Sequence, residues 1–260
     1  MESTLIKESV KKAYTEVLEE RGSGCCGTDC CSSGDSMAED YSTLEGYVKE
    51  ADYALGCGIP TKFADIKEGD TVLDLGSGAG NDVFIAAKIA GDSGKVIGLD
   101  MTEAMINKAN QNREKLGMEN VEFKLGDIED MPVDNNSVDV VLSNCVMNLV
   151  PDKKRAFSEM YRVIRPGGHF TISDIVITGE LPDKVRHAAE MYAACVSGAV
   201  QKEDYINIIK DCGFTNVSIL KEKIIDISDD TMLDLISEDE LKDHKRSGTK
   251  ILSITVSGIK

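Results

Sequence analysis

The chain has 260 residues, 42% of them hydrophobic, which is enough for one large domain, or one domain with a small cap, and too little for two full domains. Asp and Glu number 46 against 29 Lys and Arg, a formal net charge of −17, so the surrounding field repels phosphate backbones and anionic lipids and excludes nucleic acid and membrane as expected partners. The longest apolar runs, such as Ser137–Leu142 and His169–Ile177, are strand-sized, and the Met1 end has neither a basic segment nor an apolar h-region, so a soluble cytoplasmic protein is expected.

In chain order, apolar residues at Ile6, Val10, Ala13, Tyr14, Val17 and Leu18 predict an amphipathic helix over Ile6–Glu20, stopped by Gly22 and Gly24. Arg21–Met37 is rich in Gly, Ser and Cys, with almost no large apolar side chain, and reads as a loop. From Thr71 the pattern alternates strand-like and helical runs, the signature of a parallel sheet covered on both faces. Strands are predicted at Thr71–Leu75, Lys95–Leu99, Val121–Leu125, Val138–Ser143 and Phe170–Ile175. Helices are predicted at Asp82–Ala90, Glu103–Leu116 and Lys153–Val163, the last stopped by Arg165-Pro166-Gly167-Gly168. After Ile177 the alternation breaks. A helical insertion over Lys184–Val200 and a helix over Lys202–Cys212 precede two strands, Asn216–Lys223 and Lys250–Ile259, expected to pair antiparallel and finish the sheet.

The first of these strands runs into Gly76-Ser77-Gly78-Ala79-Gly80 and then a helix, which puts backbone amides and a helix N-terminus at a strand's carboxyl end. The spacing is Gly-x-Gly-x-Gly and not the Gly-x-Gly-x-x-Gly of dinucleotide sites. Asp100 ends the next strand, 20 residues after Gly80, where a carboxylate can accept both hydroxyls of a ribose. Gly126-Asp127-Ile128 closes the third, where a carboxylate can accept an adenine amino group. Val72–Gly80, Gly98-Leu99-Asp100-Met101 and Arg165–Gly168 together resemble the motifs of class I S-adenosylmethionine methyltransferases. The resemblance implies that Asp74 helps to hold the methionine ammonium, that Gly76, Ser77, Gly78 and Gly80 admit the donor, that Asp100 grips the ribose and that Met101 packs on the adenine beside Asp127 and Ile128. Asn144, at the end of the fourth strand, is counted with these donor contacts.

Eight cysteines need no disulfide framework in a chain of this size. Cys25, Cys26, Cys30 and Cys31 crowd into the Gly/Ser-rich loop, where a zinc site is the alternative, although adjacent pairs lack the usual two-residue gap. Cys57 lies in Gly56-Cys57-Gly58, Cys145 in Ser143-Asn144-Cys145, and Cys195 in Cys195-Val196-Ser197-Gly198-Ala199. With Asn148-Leu149 and Pro151-Asp152-Lys153, these segments are similar to the arsenite methyltransferase family over nearly the whole chain, with Ile59 and Met147 as two local departures. Trivalent arsenic is thiophilic, so thiolates select it over hard ions, and three sulfurs leave it a lone pair to attack the donor methyl. What the resemblance implies is a site in which Cys145 and Cys195 are the principal arsenic ligands and Cys57 is the third ligand or a redox partner. By the same resemblance an upstream cysteine, Cys30 or Cys31, joins a disulfide that returns arsenic to the trivalent state.

The expected fold is α/β: a Rossmann-like class I methyltransferase with a seven-stranded, mainly parallel sheet, an antiparallel last strand and a small helical substrate-binding insertion. Three regions are expected: 1–45 as N-terminal helix and Cys-rich loop, 46–177 as the donor-binding domain, and 178–260 as the insertion plus the last two strands. Expected partners are S-adenosylmethionine, arsenite or its thiol conjugate, and a thiol reductant such as thioredoxin or a small thiol, acting on a monomer. The alternatives are a methyltransferase for an organic small molecule and a non-catalytic thiol-based metalloid-binding protein.

Overall fold

The computed structural model describes residues 2–22, 38–186 and 198–260. Seven runs among them form one sheet: β1 (Thr71–Leu75), β2 (Lys95–Asp100), β3 (Val121–Leu125), β4 (Val138–Asn144), β5 (Ile164–Thr178), β6 (Thr215–Ile225) and β7 (Lys250–Ile259). The spatial order is β3-β2-β1-β4-β5-β7-β6, with β1 to β5 parallel and β7 antiparallel to both of its neighbours. β1 is flanked by β2 on one side and by β4 on the other, so the strand order reverses there and a crevice opens at the carboxyl ends.

Consecutive side chains of a strand point to opposite faces, and both faces of this sheet are covered. Leu73, Leu75, Val141 and Phe170 pack with Phe157, Met160 and Tyr205 on one face. Val72, Val140 and Leu142 pack with Phe84, Val96 and Met105 on the other. Four helices matter for the site: α1 (Glu2–Gly22), α2 (Asn81–Ala90), α3 (Glu103–Leu116) and α4 (Lys153–Val163).

Two features differ from the sequence reading, the start of β5 and the elements between β6 and β7. β5 begins at Ile164 directly after α4 and runs through Pro166, because four residues bulge out between the Val138–Ile164 and Val140–His169 pairs and no ladder donor is asked of the proline. The last two strands pair antiparallel and finish the sheet as expected, β7 lying between β5 and β6. Residues 226–249 carry two helices, Asp229–Leu235 and Glu238–Ser247, for which no element was expected. The signal was present: Ser237 and Glu240 form a reciprocal capping box, and Ser228 caps the preceding helix through the Thr231 N–H. Of the expected insertion, Asp183–Arg186 is helical, Gly198–Val200 lead into Gln201, which bridges Ile177, and residues 187–197 lie outside the described residues.

Candidate active site

At the carboxyl edge of the sheet, Gly76, Gly78 and Gly80 all take positive φ (68°, 52° and 101°), turning the chain from β1 into α2. A side chain on Gly76 would meet Val146 at 2.5 Å, whereas Gly78 faces open space, so the turn both packs downward and leaves room above. Asp100 fixes the turn from the next strand, accepting the Gly78 N–H at 3.0 Å with one oxygen and the Thr102 N–H at 2.8 Å with the other.

Two lobes of one crevice meet at Tyr14, Gly76, Asp100 and Val146. The first, about 570 Å³, is mostly apolar, with Val10, Met101, Ile128 and Leu149 in its wall and Asp127 at its edge. The second, about 720 Å³, is the more polar of the two and is lined by Asp74, Ser77, Gly78, Asn81, Asp82 and Asn144 among others. Burial pushes the Asp74 carboxyl well above the usual range, and the charges of Asp82 and Asp100 push it further. Burial likewise raises Asp82, to about 6, against hydrogen bonds from Asn144, Tyr41 and Thr61. Asp100 is raised by burial too, opposed by its two backbone donors. Clustered carboxyls of this kind gain from a cationic guest, which would restore their charged forms. Ser77 Oγ and Asn81 Oδ1 are buried in the same lobe without a hydrogen-bond partner, as if awaiting a polar one. A donor with an apolar-walled nucleoside at one end and an ammonium and sulfonium at the other suits both lobes.

Helix α1 covers the apolar lobe. Val10 and Tyr14 line it, and the Lys7 ammonium sits 2.6 Å from Asp127 and 2.5 Å from Glu129. Sequence reasoning found the helix but not what it covers, because an amphipathic face does not name its partner. It also passed over Tyr41 and Asp82, which carry no motif of their own.

The cysteines at 57 and 145 come together. Both are buried, 1% and 2% exposed, in a cluster that also holds Val10, Leu149, Ile175 and Ala199. Cys145 stands at the bend after β4 with φ 60°, a left-handed conformation unusual for a residue with a side chain, and its N–H donates to Ser173 O at 2.7 Å. Cys57 is held at both ends of its peptide: its N–H donates to Asn144 Oδ1 at 3.1 Å, and its carbonyl accepts from Ser253 Oγ at 2.6 Å. Cys195, Cys30 and Cys31 lie outside the described residues. Gly198, three residues after Cys195, packs so closely on Asn148 that a Cβ there would lie 2.0 Å from the Asn148 carbonyl oxygen. Cys212 is away from this region, its Sγ 3.5 Å from Lys154 O. Among the described residues no cluster of His, Cys, Asp and Glu could hold a metal ion, and no helix is long and apolar enough to cross a membrane.

A family described as methyltransferase domain matches residues 66–213, more than half of the chain. An arsenite methyltransferase of Halobacterium salinarum is 47% identical over 197 residues, covering 75% of this chain and 50% of that protein. Another, of Aquipseudomonas alcaligenes, is 34% identical, covering 89% of this chain and 68% of its own. The crystal structure of an arsenic(III) S-adenosylmethionine methyltransferase from Chlamydomonas reinhardtii superposes with a TM-score of 0.67 at 38% identity, covering 79% of this chain and 67% of that one. The chain thus spans from half to about two thirds of the length of these relatives. With the glycine turn, the acid-lined crevice and these likenesses together, the chain belongs to the arsenite S-adenosylmethionine methyltransferase family, on a class I Rossmann-like fold.

Proposed function

We propose that this chain methylates trivalent arsenic held by the thiolates of Cys57, Cys145 and Cys195. The observation that carries the reading is the convergence of Cys57 and Cys145, 88 residues apart in sequence, in one buried cluster that shares Val10 and Leu149 with the donor crevice. S-adenosylmethionine, when bound, supplies an electrophilic methyl on a sulfonium sulfur. Asp100 and the Gly76–Gly80 turn fix its sugar end, and Asp74 and Asp82 offer negative charge to its amino-acid end. The chain's task is then to keep arsenic in line with that methyl, which turns a bimolecular encounter into an effectively unimolecular one. No general base is required, since the nucleophile is the arsenic lone pair. The apolar wall of Val10, Met101 and Leu149 favours a step in which charge is lost from the donor.

In the transfer the arsenic lone pair becomes the new carbon–arsenic bond, the carbon–sulfur electrons return to sulfur, and arsenic becomes formally pentavalent. Return to the trivalent state takes two electrons, given by two thiolates as they join in a disulfide. Cys57 with Cys30 or Cys31 fills that role in this reading, and thioredoxin or a small thiol then reduces the disulfide. The nearness in sequence of Cys195 to Gly198, which abuts the Asn148 loop after Cys145, supports a third thiolate at the same place.

The test is incubation of the purified chain with arsenite, S-adenosylmethionine and a thiol reductant, followed by speciation of arsenic. Methylated arsenicals are expected, with faster turnover than on organic thiol or quinone acceptors. Donor binding without any methylated arsenic, under reducing conditions, sinks the reading.

A further inference from the structure

Asn144 stands between the two cysteines and the donor crevice, but it does not act alone. Its Nδ2 lies 2.6 Å from the Tyr41 hydroxyl, 2.9 Å from Gly58 O and 3.2 Å from Asp82 Oδ2. The Tyr41 hydroxyl is itself 2.9 Å from Gly58 O and 3.0 and 3.2 Å from the two Asp82 oxygens. These groups therefore join the Asp82 carboxylate, in the wall of the polar lobe, to both sides of the turn that carries Cys57. The Tyr41 ring is anchored separately, against Ile59 and Ile85, so its packing does not explain where its hydroxyl points.

The polar lobe has a second property. Glu39, Asp52, Asp74, Asp82 and Asp100 are in its wall, and no Lys, Arg or His is among its described lining residues. A donor that keeps its ammonium but loses its sulfonium charge in the reaction changes the field at the carboxylates of the crevice it occupies. Asp82 is the one among them that Tyr41 and Asn144 connect to the Cys57 turn.

We propose that the Tyr41 hydroxyl and the Asp82 carboxylate are positioning groups that couple the sulfonium charge of the bound donor to the Cys57 turn, that charge, added to the ammonium, holding the turn shut. With the sulfonium present, Asp82 is held as a full anion and its hydrogen bonds from Tyr41 and Asn144 are charge-assisted. When the sulfonium charge goes and the ammonium alone remains, those bonds weaken and the turn opens, exposing the Cys57 thiol once a methyl has been transferred. The inference rests on the donor reading of the crevice and is independent of arsenic.

Peptide-resolved alkylation of Cys57 by iodoacetamide, in the full chain, tests it. Labelling is compared at saturating sinefungin, which carries an amino cation where the sulfonium would be, and at saturating S-adenosylhomocysteine, which has a neutral thioether at that position and the same ammonium at its amino-acid end. In the wild type, sinefungin slows Cys57 labelling about fivefold or more relative to S-adenosylhomocysteine, within the usual range of coupling between sites. In Tyr41→Phe, and separately in Asp82→Asn, the two rates agree within about 1.5-fold, while Cys212 labels alike under every condition. Equal rates in the wild type overturn the proposal, as does a full effect retained in both variants. The ratio is read without arsenic, so a failure to methylate arsenite leaves it standing.

Discussion

Asn144 Oδ1 accepts the Cys57 N–H at 3.1 Å while the Asn144 main chain leads directly into Cys145, so one residue ties together two cysteines 88 positions apart in the sequence. In Asn144→Ala the buried Cys57 N–H loses its acceptor, and Gly58 O loses the Asn144 Nδ2 donor. A buried donor left unpaired costs roughly 1–3 kcal/mol. Urea unfolding is expected to show a loss of that size, and arsenite binding a weakening of about tenfold or more. A variant with wild-type stability and arsenite affinity would show that the turn is held by other contacts.

Cys57→Ser and Cys145→Ser exchange a proposed soft ligand for a hard one of nearly the same shape. Each is expected to reduce arsenite methylation roughly 100-fold or more, with S-adenosylmethionine affinity by calorimetry nearly unchanged. Asp100→Ala gives the complementary result: the donor dissociation constant rises at least about tenfold as both backbone bonds to Gly78 and Thr102 are lost, and arsenite binding is untouched. If Asp100→Ala weakens both ligands equally, the two sites are not separable in this way.

The ion pairs of Lys7 with Asp127 and Glu129 fasten α1 over the apolar lobe. Glu129 is buried and Lys7 half-buried, so the group is less screened than a surface pair. Lys7→Ala leaves two carboxylates facing each other and is expected to raise the donor KM about fivefold with little change in kcat, by loosening the helix over the crevice. Salt added to the wild type should move KM in the same direction. A kcat effect without a KM effect would place Lys7 in some other step.

Asp174, buried on β5, accepts the Tyr205 hydroxyl at 3.0 Å and the Ile175 N–H at 3.0 Å. Burial raises its pKa to about 7, against the Lys153 charge and these bonds. Because the folded value lies above the unfolded one, the contribution to stability is complete below pH 4 and is lost as pH rises through 7. A shift of that size corresponds to roughly 4 kcal/mol at most. Between pH 5 and pH 8, urea unfolding should show the wild type losing more stability than Asp174→Asn. Equal losses in the two proteins would mean that Asp174 ionises normally.

The sequence shows the parallel strands well because they are short runs, three of which, β1, β2 and β3, run into a glycine or an acid at the ends where the donor contacts are proposed. Thr71–Leu75 followed by Gly76–Gly80, and Lys95 onward to Asp100, are local signals. The covering role of α1 and the hub at Tyr41 and Asp82 are not local: they depend on groups separated by 120 and 41 residues meeting in three dimensions. The two helices between Ser228 and Ser247 were legible through their caps, but their cores are thin, with Met232 and Leu241 as the buried members, so no apolar periodicity announced them.

Position 145 also sets a conflict between durability and chemistry. Its left-handed backbone suits glycine, and an ordinary side chain there forgoes about 1–2 kcal/mol. A library screened for heat resistance alone would therefore drift toward glycine or asparagine at this bend, producing a sturdier fold that has discarded a sulfur.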